Sequence, residues 1–111
     1  MDTRRVTFHA MAALNEVVLA ADDAAAADAL ARRAIAEVAR IEAAYSRYRD
    51  DSIVSRINAA AGGAAVECDD ETLALLAHAE QLHRASGGLF DITSGVLRRA
   101  WNFREPRVPS R

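Results

Sequence analysis

A long segment without helix breakers dominates the middle of the chain. Residues 20–49 contain neither Gly nor Pro and are rich in Ala, the strongest helix former. Apolar residues recur there in alternating steps of four and three, which places them on one face of a helix. They are Leu30, Ala34, Val38, Ile41, Tyr45 and Tyr48. We therefore expect one long helix, capped by Asp22 or Asp23, with Tyr48 as core in preference to a ligand contact.

Two short strands are expected before this helix, over residues 4–11 and 15–23, with a tight connection through residues 12–14. After the helix, the periodicity breaks at residues 50–63. There Asp50, Asp51 or Ser52 can cap a short helical turn that Gly62 and Gly63 end. Residues 64–68 predict a further short strand.

A second main helix is expected to begin at Asp69 or Asp70 and to end at Gly87 in the left-handed conformation. Its apolar positions are Leu73, Leu76, Ala79 and Leu82. A short turn is expected from Thr93 to Trp101, and residues 104–111 have the composition of a linker. The pattern is that of an α+β fold with short strands and two main helices.

Composition excludes several function classes. With 111 residues the chain is at most one domain, and a formal net charge of −2 with no basic face argues against nucleic-acid binding. Cys68 is the single cysteine, so no intrachain disulfide forms, and we expect it to be a small buried hydrophobe. No transmembrane run and no signal peptide are visible, which predicts a cytoplasmic chain or a mature chain without its leader.

Motif reasoning from single residues gives little chemistry. His78 and His83 are five residues apart on one helix and so do not share a face, which argues against a zinc pair. The Ser-Gly-Gly stretch follows a helix, so it is neither a dinucleotide fingerprint nor a P-loop. Asp91 and Thr93 are most simply read as caps of the next turn.

The order of three motifs is more specific. The chain reads FHAMAALNEVVL over residues 8–19, IEAAYSRYRDDSIVSRIN over 41–58 and SGGLFDITSGVLRRAWNF over 86–103. This succession closely resembles the N-terminal part of the ApbE family, the FAD:protein FMN transferases, whose domain is related to the T-fold. The resemblance covers residues 5–103 nearly throughout, so that 1–103 form the N-terminal part of one such domain and 104–111 a truncated linker.

The resemblance implies an activity and a set of flavin-contacting residues. Such enzymes cleave FAD with Mg²⁺ and move FMN onto a Thr or Ser hydroxyl of a partner protein, releasing AMP. The implied cofactor contacts are Met11, Tyr48, Gly88, Leu89, Phe90 and Asp91, while Thr93 and the turn to Trp101 support the loop. In the family Gly and a hydroxyl residue usually follow the motif methionine, whereas Ala12 and Ala13 stand here.

Family members are two to three times longer than this chain. The resemblance implies that the Mg²⁺ ligands and a second Gly-rich motif with a lysine follow residue 111, so no metal ligand and no catalytic residue is assigned within the chain. We expect a truncated chain that is inactive alone. Many members are periplasmic or membrane-anchored. The alternatives are a flavin-binding or partner-binding module without catalysis, and a purely structural helical interaction piece.

Overall fold

The computed structural model of the protein describes residues 2–99. Within this range the chain forms two strands, three α-helices and one 3₁₀ helix, so the predicted α+β class is confirmed. It divides into two compact units between Val66 and Glu67. None of the helices in this range is long and apolar enough to cross a membrane.

An antiparallel hairpin opens the first unit, with strand β1 over Asp2–Ala10 and strand β2 over Ala13–Ala21. Both predicted strands are confirmed, with bounds shifted by about two residues. Side chains alternate between a half-buried and an exposed face, as the period of two requires. The half-buried face carries Val6, Phe8, Val17 and Leu19.

The connection between the strands is only two residues long. Ala10 pairs with Ala13, so Met11 and Ala12 form the whole loop. The predicted connection through residues 12–14 begins one residue and ends two residues too late. Met11 has φ of +53° and Ala12 +56°. Positive φ at both central residues is the signature of a type I′ turn, which matches the twist of the strands but strains residues with a Cβ.

Helix α1 runs over Ala24–Tyr45 and packs against both strands. Asp23 caps it by accepting a hydrogen bond from the Ala26 N–H at 2.7 Å, one of the two predicted caps. The buried residues are Ala27 and Ala31, each 3% exposed, while Leu30 of the predicted stripe is exposed. Three residues of the predicted stripe, Ala34, Val38 and Tyr45, are half-buried, so the predicted face is right in part, while the fully buried positions carry small alanines.

The end of α1 also differs from the prediction. The helix stops at Tyr45, with Ser46 in an extended conformation, so Tyr48 lies in the following turn and not on the helix. Helix α2 spans Ile53–Ala59 and is capped by Ser52, the last of the three predicted candidates. It ends before Gly62, which has φ of +81°.

Residues 64–68 form no strand, so this prediction is wrong. A strand needs a partner for its N–H and C=O groups, and within residues 2–99 the sheet consists of β1 and β2 alone. The apolar residues of this segment connect the two units instead. Cys68 is half-buried and not fully buried.

The second unit begins with helix α3 over Asp70–Ala85, capped by the Asp69 carboxylate, which accepts from the Thr72 N–H at 2.9 Å. The predicted left-handed Gly87 is confirmed, with φ of +64°. A 3₁₀ helix then spans Ile92–Arg99, close to the predicted start at Thr93. Trp101, the end of the predicted turn, and the predicted linker lie outside the described residues.

The strained hairpin loop generates a stability prediction. Ala12→Gly should raise the free energy of unfolding by about 1 kcal/mol, because glycine adopts positive φ without the Cβ clash. Ala13→Gly is the matched control: it lies in β2, where glycine lowers stability by about 0.5–1 kcal/mol. Urea denaturation measures both variants, and an Ala12→Gly protein no more stable than wild type would contradict the strained turn.

Candidate functional site

The hairpin tip, Met11 and Ala12, presents the first predicted site residue. The Met11 side chain is 58% exposed, while its backbone N–H donates to Glu42 Oε1 of α1 at 3.0 Å. On the other side of the loop, Asn15 Nδ2 donates to the Ala10 and Ala13 carbonyls at 2.9 and 3.0 Å. These bonds hold the tip in its strained conformation, so the thioether projects from a fixed backbone.

The second predicted site residue, Tyr48, lies in a turn over residues 46–52 that we call the Tyr48 turn. Its side chain is 74% exposed, so the interpretation as a core residue is wrong. The physical reason is the early end of α1, which takes Tyr48 off the apolar stripe. The Arg47 guanidinium carbon lies 5.0 Å from the ring centroid, and Arg47 Nη2 donates to the Tyr48 hydroxyl at 3.1 Å, which orients the ring.

Ser52 explains why the Tyr48 turn needs its particular sequence. It is 1% exposed, its hydroxyl donates to the Ser46 carbonyl at 2.6 Å, and the same oxygen accepts from the Ser55 N–H at 3.0 Å. One side chain thus closes the turn and caps α2. Arg49 Nε donates to Asp51 Oδ1 at 3.3 Å, and this hydrogen bond lowers the pKa of the exposed Asp51 carboxyl.

The Gly-Gly loop, residues 86–91, carries the remaining predicted site residues. The Gly88 N–H donates to the His83 carbonyl at 2.8 Å and the Gly87 N–H to the Arg84 carbonyl at 3.1 Å. This pair of bonds is the Schellman motif that ends helices. Gly88 also has positive φ, +87°, so two successive left-handed residues turn the chain sharply away from the axis of α3.

The side chains after the two glycines point away from the core. Leu89 is 92% exposed and Phe90 is 44% exposed. Contiguous exposed apolar side chains mark ligand or partner contacts, whereas single ones are common on protein surfaces. The loop therefore presents an apolar surface next to backbone that lacks Cβ atoms.

Asp91 acts as the cap of the 3₁₀ helix. Its Oδ1 accepts from the Thr93 N–H at 2.8 Å and from the Thr93 hydroxyl at 2.6 Å. The hydroxyl bond, then the backbone bond, and to a smaller extent the charge of His83, lower the pKa of the Asp91 carboxyl. Thr93 thus supports the loop through Asp91, and an ionised Asp91 is the form that the loop stabilises.

The predicted site residues therefore fall into two groups. Gly88, Leu89, Phe90 and Asp91 share one loop of the second unit. Met11 and Tyr48 belong to the first unit, both at the end of α1 that carries Glu42 and Tyr45. Among residues 2–99, no group of three or more His, Cys, Asp and Glu side chains could hold a metal ion.

Sequence reasoning missed the side chains that hold these turns. Glu42, His83 and Ser86 each bond to the backbone of a predicted site residue. Two signals could have indicated them: Glu42 lies next to the apolar stripe, and a hydroxyl residue stands between a helix end and a pair of glycines. Neither signal is specific, because neither indicates that a loop folds back onto the helix that precedes it.

A family model described as "ApbE family" matches residues 5–111. The chain belongs to the ApbE family. It is similar to the crystal structure of the ApbE protein from Thermotoga maritima, with a TM-score of 0.84 and 26% sequence identity over 99% of this chain. The chain spans 36% of the length of that relative. No curated protein sequence matches it significantly. The family resemblance of the three motifs is thus confirmed.

The cap of the 3₁₀ helix in this ApbE chain generates a pH prediction. Thr93→Val removes the hydroxyl donor, so the pKa of Asp91 should rise toward its ordinary value of 3.8, while Thr93→Ser should keep it low. Since the folded pKa lies below the unfolded one, the ionised cap stabilises above the unfolded pKa and loses this effect as pH falls through the folded pKa. NMR titration of the Asp91 carboxyl measures it, and equal titration in wild type and Thr93→Val would contradict the assignment.

Proposed function

We propose that the chain is the flavin-contacting part of a FAD:protein FMN transferase. Membership of the ApbE family supports a flavin-transferase-like function. The finer proposal rests on exposed, largely apolar side chains that project from hydrogen-bonded turns. These side chains are Met11, Tyr48, Leu89 and Phe90. A core residue would be buried, and a residue of a disordered loop would lack these bonds.

These residues fit the chemistry of a flavin nucleotide. The tricyclic ring of FAD is flat and largely apolar, so it suits stacking on an aromatic face and contact with a polarisable thioether. Tyr48 supplies the face and Met11 the thioether. The loop at Gly88 allows backbone to approach a ligand without a Cβ in the way, and Leu89 and Phe90 add apolar contact.

The proposed reaction joins FMN to an acceptor protein. The hydroxyl oxygen of a Thr or Ser attacks the phosphorus of the FMN half, the bond to the bridging oxygen of the pyrophosphate breaks, and AMP leaves with that oxygen while the hydroxyl proton is released. Mg²⁺ would neutralise charge on the pyrophosphate. Because residues 2–99 contain no cluster that fits a metal, we assign no ligand and no metal-dependent step to them. Their role is to bind and orient FAD.

The alternative is a flavin-binding or partner-binding module without catalysis. The exposed apolar turns favour it equally, because they account for binding and not for bond cleavage. Release of AMP separates the two hypotheses.

The direct test uses the whole transferase of which we propose this chain to be a part, called the full-length protein below. It is mixed with FAD, Mg²⁺ and an acceptor protein that carries an exposed threonine. We expect a covalently fluorescent acceptor band on a denaturing gel together with AMP release, and no band for the acceptor with that threonine replaced by alanine. Residues 1–111 alone should give no band, since the described part contains no cluster that fits Mg²⁺. FAD binding without AMP or a fluorescent band would favour the binding module.

Two tyrosine variants, one as the test and one as its control, are compared by their FAD affinity and their Tm. Tyr48→Ala should weaken FAD binding by about 1–3 kcal/mol, the typical contribution of stacking on an aromatic ring, with little change in Tm. Tyr45→Ala, a half-buried residue of α1, should lower Tm instead. A large fall in Tm and unchanged FAD affinity for Tyr48→Ala would remove Tyr48 from the proposed site.

A further inference from the structure

We propose that His83 and Ser86 are positioning residues that fix the backbone of Phe90, and with it the Gly-Gly loop, for ligand binding. The inference rests on the proposed function, because the ligand in question is FAD. His83 lies in the last turn of α3, before the motif, and Ser86, the first residue of the motif, is the C-cap of α3.

Both backbone groups of Phe90 are bonded to side chains of the last turn of α3 and its cap. The Phe90 N–H donates to Ser86 Oγ at 2.8 Å, and the Phe90 carbonyl lies 3.0 Å from His83 Nδ1. Ser86 Oγ in turn donates to the His83 carbonyl at 3.2 Å. The two side chains and the Phe90 backbone therefore form a closed set of bonds, which we call the Phe90 clamp.

The clamp specifies the state of the His83 ring. A carbonyl oxygen only accepts hydrogen bonds, so Nδ1 carries the hydrogen, and in the neutral ring Nε2 is then the acceptor. The ring lies beside the Gly88 backbone: a Cβ on Gly88 would be 3.6 Å from His83 Cε1. This is ordinary contact, so positive φ and not lack of space explains the glycine at this position.

The geometry determines where the apolar side chains project. Leu89 lies between the Schellman bonds at Gly87 and Gly88 and the clamp at Phe90, and Asp91 caps the next helix immediately after it. A loop that is already ordered loses less conformational entropy when it binds a ligand. Removing the clamp should therefore weaken FAD binding without removing any group that touches FAD.

The test compares two substitutions of His83 in the full-length protein. His83→Leu removes the donor, whereas His83→Asn places an amide N–H at the same distance along the side chain as Nδ1. We expect His83→Leu to weaken FAD binding about fivefold, the equivalent of one lost hydrogen bond of about 1 kcal/mol, and His83→Asn to retain most of the affinity. Exchange of the Phe90 amide hydrogen, measured by NMR without FAD, should accelerate in His83→Leu and not in His83→Asn.

His78→Leu is the matched control, since His78 is exposed on the same helix and we expect the variant to bind FAD as wild type does. Ser86→Ala should weaken binding similarly, and the double variant with His83→Leu should lose less than the sum, because both residues hold one residue's backbone. If His83→Leu does not fold, Ser86→Ala replaces it with the same expected result.

Three outcomes overturn one or the other of two statements, the proposed function and the positioning role. A wild-type protein that binds no FAD contradicts the proposed function. A wild-type protein that binds FAD no better than His83→Leu, or equal losses in His83→Asn and His83→Leu, contradicts the positioning role and leaves the proposed function standing.

Discussion

The close contact between α1 and the hairpin is the constraint on which the first unit depends. Ala27 and Ala31 are the buried apolar residues of the described chain, and their small side chains bring the helix backbone near the sheet. Arg4 and Asp28 add an ion pair at 3.0 Å between β1 and α1, exposed enough to contribute little. Because the helix lies along the strands, its other end brings Glu42 to the Met11 N–H. The packing of α1 on the hairpin through Ala27 and Ala31 thus positions the strained tip at Met11 and Ala12.

Each motif of the ApbE chain that carries a proposed flavin contact is a chain reversal held by polar side chains. Glu42 and Asn15 hold the hairpin tip, Ser52 closes the Tyr48 turn, and Ser86 with His83 holds the Gly-Gly loop. The apolar side chains at these reversals are left exposed. The motifs therefore combine two requirements, a rigid backbone that polar groups determine and an apolar surface that a flat ligand can contact.

Local sequence patterns predicted where the helices begin and end better than they predicted which residues are buried. Local signals placed the caps Asp23, Ser52 and Asp69 among two or three adjacent candidates each and identified the left-handed Gly87, because these signals act within a few residues. Hydrophobic periodicity placed Tyr48 and Leu30 in the core, where neither lies. Helix α1 ends before Tyr48, and the fully buried helix positions are Ala27 and Ala31. The predicted strand over 64–68 finds no partner strand among the described residues, and the bond between Glu42 and Met11 joins residues 31 apart in sequence. The His83 bond depends on how the Gly-Gly loop closes onto α3, so no specific local pattern indicates it.

Hydrogen–deuterium exchange of the full-length protein with and without FAD tests the central proposal, that each of these exposed turns contacts the flavin. The account predicts that FAD slows exchange in peptides covering residues 10–13, 46–52 and 86–91, because bound ligand shields and orders the backbone there. It also predicts little change in the middle of α1 and α3. Protection confined to the helices or to the exposed face of the hairpin, with these three segments unchanged, would contradict it.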